Sequence, residues 1–177
     1  MSDAASSLHG LPELLRNGVL TWALLACGTA QLSKLLVELV AHRRWRPAVL
    51  LETGGMPSSH SALMSGAAAG VGWQLGFDDP LFALAATAAI VVMYDASGVR
   101  RAAGRIAQRV NALPADAWGP APSSDSPSAP PLKENLGHSR LEVLVGGLIG
   151  PAVALSGLSL LGSPWQLAQR IGWVPIG

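Results

Sequence analysis

Apolar residues arrive along this chain in blocks. Val19 to Ala30, Ala62 to Leu75, Leu81 to Met93 and Val143 to Leu161 contain no charged side chain. Each block is near or somewhat below the ~20 residues that carry a helix across a bilayer, so polar residues must sit at the ends of the spans or face a protein interior. The pattern predicts an all-α fold, a polytopic membrane helix bundle of about four spans: Val19 to Val40, Ser58 to Leu75, Pro80 to Tyr94 and Ser139 to Leu161. A further membrane-associated piece follows Pro164, with Trp165 and Trp173 as interfacial anchors.

A different period runs from Gly98 to Leu113. Val99, Ala102, Ala103, Ile106, Val110 and Leu113 share one side, while Arg101, Arg105 and Arg109 recur every four residues on another. This is the pattern of an amphipathic helix lying along the membrane interface. After it, 114–131 is rich in Pro, Ser and Ala and reads as a flexible loop. Pro12 to Arg16 suits a short interfacial helix, which makes 1–17 an N-terminal interfacial segment of a single integral-membrane domain spanning 1–177. Glycines four apart, Gly66 with Gly70 and Gly146 with Gly150, predict close helix contacts.

Composition sharpens the membrane reading. Half of the 177 residues are apolar and only 13% are charged, whereas a water-soluble surface needs roughly twice that charge. The single cysteine, Cys27, lies inside the first apolar block, which excludes disulfide scaffolds and cysteine-based metal sites and leaves a packing role. The N-terminus lacks the basic start and cleavage pattern of a secretory signal and is expected to be kept. The net charge of +1 decides nothing; no nucleic-acid partner is expected, and the oligomeric state is open.

The distribution of charge is informative. Arginines gather after the first block (Arg43, Arg44, Arg46) and after the third (Arg100, Arg101, Arg105, Arg109), while Asp78 and Asp79 link the second to the third. By the positive-inside rule the arginine-rich connections are cytoplasmic and both termini are outside. This threading brings three polar clusters, separate in sequence, to one depth on one face: Pro57-Ser58-Ser59-His60, Asp95 to Arg101, and Lys133 to Glu142.

Each cluster carries chemistry. In Gly54 to Ala62 (GGMPSSHSA) two glycines permit a tight backbone, Pro57 suits a first helical turn, and the N–H groups of Ser58, Ser59 and His60 would be left to bind an anion. An ordinary helix cap with an interfacial histidine explains the same residues. Asp95 ends a span, where an ionisable group is costly unless paired or useful, and Arg100 and Arg101 are near enough to pair with it or to grip phosphate. In LKENLGHSRLEV, His138 and Glu142 lie four apart on one helical face; the carboxylate can fix the imidazole tautomer and leave the other ring nitrogen free to attack or take a proton. Gln31, Lys34, Glu38 and His42 form a polar stripe on the first span that must face the bundle interior. Lys34 either binds an anion tuned by Glu38, or the two neutralise each other.

The ordered set GGMPSSHSA, YDASGVRRAAG and LKENLGHSRLEV resembles the divergent branch of the type 2 phosphatidic acid phosphatase and vanadium haloperoxidase superfamily, over roughly Gln31 to Gly150. The resemblance implies a phosphoric monoester hydrolase that needs no metal or other cofactor. It assigns His138 as nucleophile, Glu142 as the residue that orients it, and His60 as general acid, with Ser59 standing where the superfamily has glycine. Phosphate contacts would come from Lys34, Ser58, Ser59, Asp95, Arg100, Arg101 and Lys133. The superfamily's first motif, a lysine with arginine-proline seven residues later, is absent at that spacing, since Lys34 lies twelve positions before Arg46-Pro47. Lys34, Arg43, Arg44 and Arg46 therefore stay open as alternatives. Arg140 stands near the place where this branch usually has proline, and either touches phosphate or anchors the helix.

Within this branch the resemblance points to phosphatidylglycerophosphate, hydrolysed to phosphatidylglycerol at the cytoplasmic face of a bacterial inner membrane or its equivalent. Phosphatidic acid and isoprenyl phosphates or diphosphates are the alternative substrates. A non-catalytic lipid-binding protein would lack a nucleophile or an acid, and this chain has both. A transporter would need mid-membrane charge in several spans, and only the first shows it.

Overall fold

The computed structural model describes residues 13–14, 16–41, 43–51, 54–114, 117 and 130–174, and every regular element among them is helical. The order is α1 (Gly18–Ala41), a 3-10 turn (Pro47–Leu51), α2 (Ser59–Leu75), α3 (Pro80–Ser97), α4 (Val99–Asn111), α5 (Arg140–Leu160) and α6 (Pro164–Arg170). The residues before 13, His42 and most of the 114–131 loop lie outside the described residues.

Local chemistry sets the helix starts. Asn17 accepts from the Leu20 N–H through its side chain at 3.0 Å and begins α1. Asp79 caps α3, with Pro80 in its first turn. Ser139 and Glu142 form a reciprocal capping box at α5, as do Ser163 and Gln166 at α6. Each such cap satisfies donors that a helix start otherwise leaves open, and contributes about 1 kcal/mol.

Three stretches are long and apolar enough to cross a bilayer: α1, the α3 to α4 run and the α5 to α6 run. The second apolar block forms α2, whose 17 residues reach about 25 Å at the rise of an α-helix. This length is at the lower end for a span, and α2 is the helix most enclosed by protein, packing against α1, α3 and α5. The bundle has its large side chains outside. Its core is Ala23, Ala26, Ala30, Ala62, Ala68, Ala69, Ala89 and Ala154 with a few larger residues, whereas Leu24, Leu36, Leu84, Ile90 and Leu148 are exposed. In water that surface would be a very large apolar patch; in lipid it is the expected exterior.

Small residues make the helix contacts. A Cβ added at Gly66 would lie 3.2 Å from the Gly150 carbonyl oxygen, and one at Gly150 would lie 2.6 Å from the Gly66 nitrogen. One at Gly146 would overlap the Ser58 carbonyl, and one at Gly157 the Trp22 ring. Trp22 Nε1 then donates to the Gly162 carbonyl at 2.7 Å, tying α1 to the turn after α5.

One detail differs from the sequence-based expectation and a second adds to it. Pro57 lies outside the first turn of α2, one residue before the N-cap Ser58, and its peptide bond with Met56 is cis. The apolar side of the amphipathic helix α4 faces outward, Val99 and Ile106 being exposed, while the buried positions are Gly104 and Ala107. An interfacial helix turns its apolar side to lipid, so the face it packs with must be built from something smaller.

Candidate active site

The geometry begins at the start of α5. Glu142 Oε2 accepts from the Ser139 N–H at 3.0 Å and lies 3.1 Å from His138 Nδ1. An ionised carboxylate only accepts, so His138 Nδ1 carries the proton and Nε2 keeps its lone pair. His138 is 4% exposed, and its Nε2 has no hydrogen-bond partner among the described residues. A buried imidazole nitrogen left open by the protein can meet a water, an ion or a substrate. Burial lowers the His138 pKa below 6.5; the hydrogen bond and the charge of Glu142 oppose this, while the charges of Lys34 and His60 add to it. Burial thus favours the neutral imidazole.

The backbone around His138 is fixed on two sides. Its N–H donates to the Ala96 carbonyl at the end of α3, at 2.9 Å. Gly137 has φ +77, and a Cβ there would overlap the backbone of Arg100 and Arg101. Only glycine can turn the chain this close to α4. Across the bundle, the Ser58 N–H donates to the Glu142 carbonyl at 3.0 Å, so the helix that carries His60 is registered against the helix start that orients His138.

Two cavities meet at His138. The smaller, about 100 Å³, is lined by His60, Val92, Ala96, Arg100, Leu136, Gly137 and His138. The larger, about 340 Å³ and polar, shares Leu136, Gly137 and His138 and adds Arg101, Arg105, Glu134 and Glu142 among others. The structure thus brings together His60, His138, Glu142, Arg100 and Arg101 from all three clusters. Lys34 is 2% exposed on α1, close enough for its charge to be felt at His138. Arg100 Nε also donates to Asp95 Oδ2 at 2.5 Å, an exposed pair. Gln31 Nε2 donates to the Leu50 carbonyl and fastens the 3-10 turn to α1.

Other expected residues are placed differently. The Ser58 N–H is engaged by Glu142, and its buried hydroxyl caps α2, accepting from the Ser61 N–H at 3.3 Å and from the Ser61 hydroxyl at 2.9 Å. Ser59 is buried and lines neither cavity. Lys133, Arg43, Arg44, Arg46 and Arg140 are exposed and line neither cavity. Among the described residues, no three His, Cys, Asp or Glu side chains are grouped to hold a metal ion.

Two residues beside the site escaped sequence reasoning, Gln108 and Asn111, while Glu134 and Asn135 fell inside the third cluster without a role of their own. Asn111 Nδ2 donates to the Leu132 carbonyl and to Glu134 Oε1, both at 2.8 Å, and its Oδ1 accepts from the Leu132 N–H at 3.0 Å. The available signal was the spacing of Arg101, Gly104, Arg105 and Gln108, which puts a small residue and three polar ones on one helical face.

Known proteins place the chain in a family and a membrane setting. The Divergent PAP2 family matches residues 15–153, which contain all three polar clusters and α1 through most of α5. A protein of Bacillus subtilis (strain 168), described as "Uncharacterized membrane protein YuiD", is 38% identical over 150 residues, covering 81% of this chain and 95% of its own length. No solved structure matches this chain. Both the matched residues and the lipid-facing exterior lead to one statement: the chain is an integral membrane protein and belongs to the divergent PAP2 family.

Proposed function

We propose that the protein is a lipid phosphate phosphatase that acts through a phosphohistidine on His138, hydrolysing phosphatidylglycerophosphate to phosphatidylglycerol. The observation that carries this reading is the state of His138: buried, its Nδ1 held by Glu142, its Nε2 without a partner, and a cavity shared with His60 and Arg100. A histidine kept only for packing would have both nitrogens satisfied or exposed.

The reaction runs in two steps. Nε2 of His138 attacks phosphorus in line and forms the N–P bond as the P–O bond to the lipid breaks. His60 gives its proton to the departing alkoxide, a contribution of about 10²–10⁴ in rate for a well-placed acid. Positive charge on the Nδ1 side is stabilised by Glu142. A water then attacks phosphorus, His60 takes its proton, and the N–P bond breaks to release phosphate and restore the imidazole. Arg100 and Lys34 stabilise charge on the equatorial oxygens during both steps. A headgroup phosphate lies at the level of the span ends while its tails stay in lipid, which suits a site at the starts of α2 and α5, on the cytoplasmic side that the arginine distribution favours.

The test is phosphate release from phosphatidylglycerophosphate in detergent micelles with a metal chelator present. The parent chain is expected to release phosphate, and His138→Ala and His60→Ala to reduce release to background and by about a hundredfold or more, respectively. Release that survives loss of His138 would remove the histidine mechanism. Activity on phosphatidic acid or an isoprenyl phosphate alone would keep the mechanism and reassign the substrate.

A further inference from the structure

The two cavities at His138 differ in chemistry: the phosphohistidine mechanism takes His60 and Arg100 from the smaller one, and from the wall of the larger one it uses Glu142 alone besides the shared His138. The larger, at about 340 Å³, falls in the ~300–1,000 Å³ range of ligand pockets. Its walls are one face of α4, with Arg101, Gly104, Arg105 and Gln108, and the extended segment before His138, with Glu134 and Asn135. These walls are built rather than incidental. A Cβ on Gly104 would lie 2.6 Å from the Glu134 carbonyl oxygen and 2.9 Å from that of Leu136, so the segment runs directly against the helix between the two arginines. Asn111 then pins the segment with three hydrogen bonds, about two turns further along.

The charges are unequally answered. Both carboxylates in the cavity have donors: Glu142 holds His138 and the Ser139 N–H, and Glu134 accepts from Asn111. Arg100, one position away, is paired with Asp95. Arg101 and Arg105 have no hydrogen-bond or ion-pair partner among the described residues. Two unanswered guanidinium groups in a polar recess beside a buried, partnerless imidazole nitrogen call for an anion, and their planar forks match a phosphate oxygen pair.

We propose that this cavity binds a second anionic group of the substrate, a phosphodiester on the same headgroup as the reacting phosphomonoester, with Arg105 as its specificity-determining contact and Arg101 bridging towards His138. The inference rests on the phosphatase reading above. A lipid whose only phosphate is the reacting one leaves the larger cavity to water, whereas one that carries a diester between its tails and the terminal phosphate fills both. The arginine at position 105 therefore sorts lipid phosphates by their second charge.

The experiment compares kcat/KM for phosphatidylglycerophosphate and for phosphatidic acid of the same acyl chains, in the parent chain and in Arg105→Gln, both in detergent micelles. Loss of one charge-assisted hydrogen bond is expected to lower the ratio of the two kcat/KM values by about tenfold. An unchanged ratio overturns the proposal, whether both rates fall together or neither falls. A second measurement is independent of turnover: equilibrium binding of the same two lipids to the His138→Ala chain, with and without Arg105→Gln. Tighter binding of the two-phosphate lipid that disappears with Arg105→Gln supports the site even where the parent releases no phosphate, and that outcome would defeat the phosphatase reading alone. Turnover by the parent without such a binding preference would defeat this proposal alone.

Discussion

Two seams hold the site, and they are made of different things. Between α2 and α5 the contact is steric: Gly66 and Gly150 bring backbones together, and Gly146 admits the Ser58 carbonyl, with one hydrogen bond from Ser58 to Glu142 crossing near the end. Between the α3–α4 corner and the segment before His138, polar contacts are added to the close approaches at Gly104 and Gly137: Asn111 on α4 takes both the N–H and the carbonyl of Leu132, and the His138 N–H reaches back to Ala96 at the end of α3. Within lipid no hydrophobic gain separates protein contact from lipid contact, so shape must do the joining. At the surface water competes for every polar group, so several hydrogen bonds act together, each with a net worth of about 1 kcal/mol. The first seam sets where the two histidines stand. The second sets the wall beside them.

The comparison breaks most completely at its steric half. Gly146→Val drives two methyl groups into the Ser58 carbonyl, which should destabilise the bundle by about 3 kcal/mol or more. The check is the yield of monodisperse protein in detergent, expected to collapse; a well-folded variant would show that the seam can open without loss. Next in size is the residue that joins both seams. Glu142→Gln should lower kcat by about a hundredfold, since the orienting carboxylate is gone. It should also move the acid limb of the pH profile to lower pH, because both contributions of Glu142 raise the His138 pKa against the burial that lowers it. The sign for stability follows from the same shift. With the folded pKa of His138 below 6.5, the contribution of its neutral form is fully present above pH 6.5 and declines as pH falls towards the folded value. A limb that moves to higher pH in Glu142→Gln would contradict the assignment.

The polar half should yield less. Asn111→Ala removes three exposed hydrogen bonds, about 1–2 kcal/mol together, read as a Tm lower by a few degrees. Phosphate release is expected to fall about tenfold, because the segment that presents His138 is loosened. An unchanged rate would detach the wall from the nucleophile. Smallest of all is Leu148→Ala on the outward face of α5, 64% exposed, where a change within about 0.5 kcal/mol is expected. A large loss there would reveal a protein neighbour where this bundle has lipid.

What could be read from the chain follows the same division. The four expected spans became α1, α2, α3 and α5 with every end within three residues, because a bilayer leaves the backbone no option but helix. His60, Arg100, Arg101, His138 and Glu142 were legible as a converging set, since span ends and charge placement bring them to one depth. For Ser58 the sequence left two readings, an anion-binding N–H or an ordinary helix cap; the structure makes it the cap, with its N–H taken by the Glu142 carbonyl. The pairing of Asn111 with Leu132 was invisible: it joins two ends of a long loop, and a side chain that imitates a peptide group leaves no periodic trace. The packing face of α4 was hidden for a related reason, as its buried positions are Gly104 and Ala107, small residues that contribute little to any hydrophobic pattern.

Glu142 has one more consequence. Its carbonyl receives the Ser58 N–H while its carboxylate orients His138, so the helix that carries His60 and the ring of His138 take their positions from a common datum. When a bilayer thins or thickens, spanning helices answer by tilting. A tilt of α5 would then carry both histidines together, changing how deep the reacting groups sit without changing the gap between them. The depth of the chemistry follows the membrane, and its internal spacing does not.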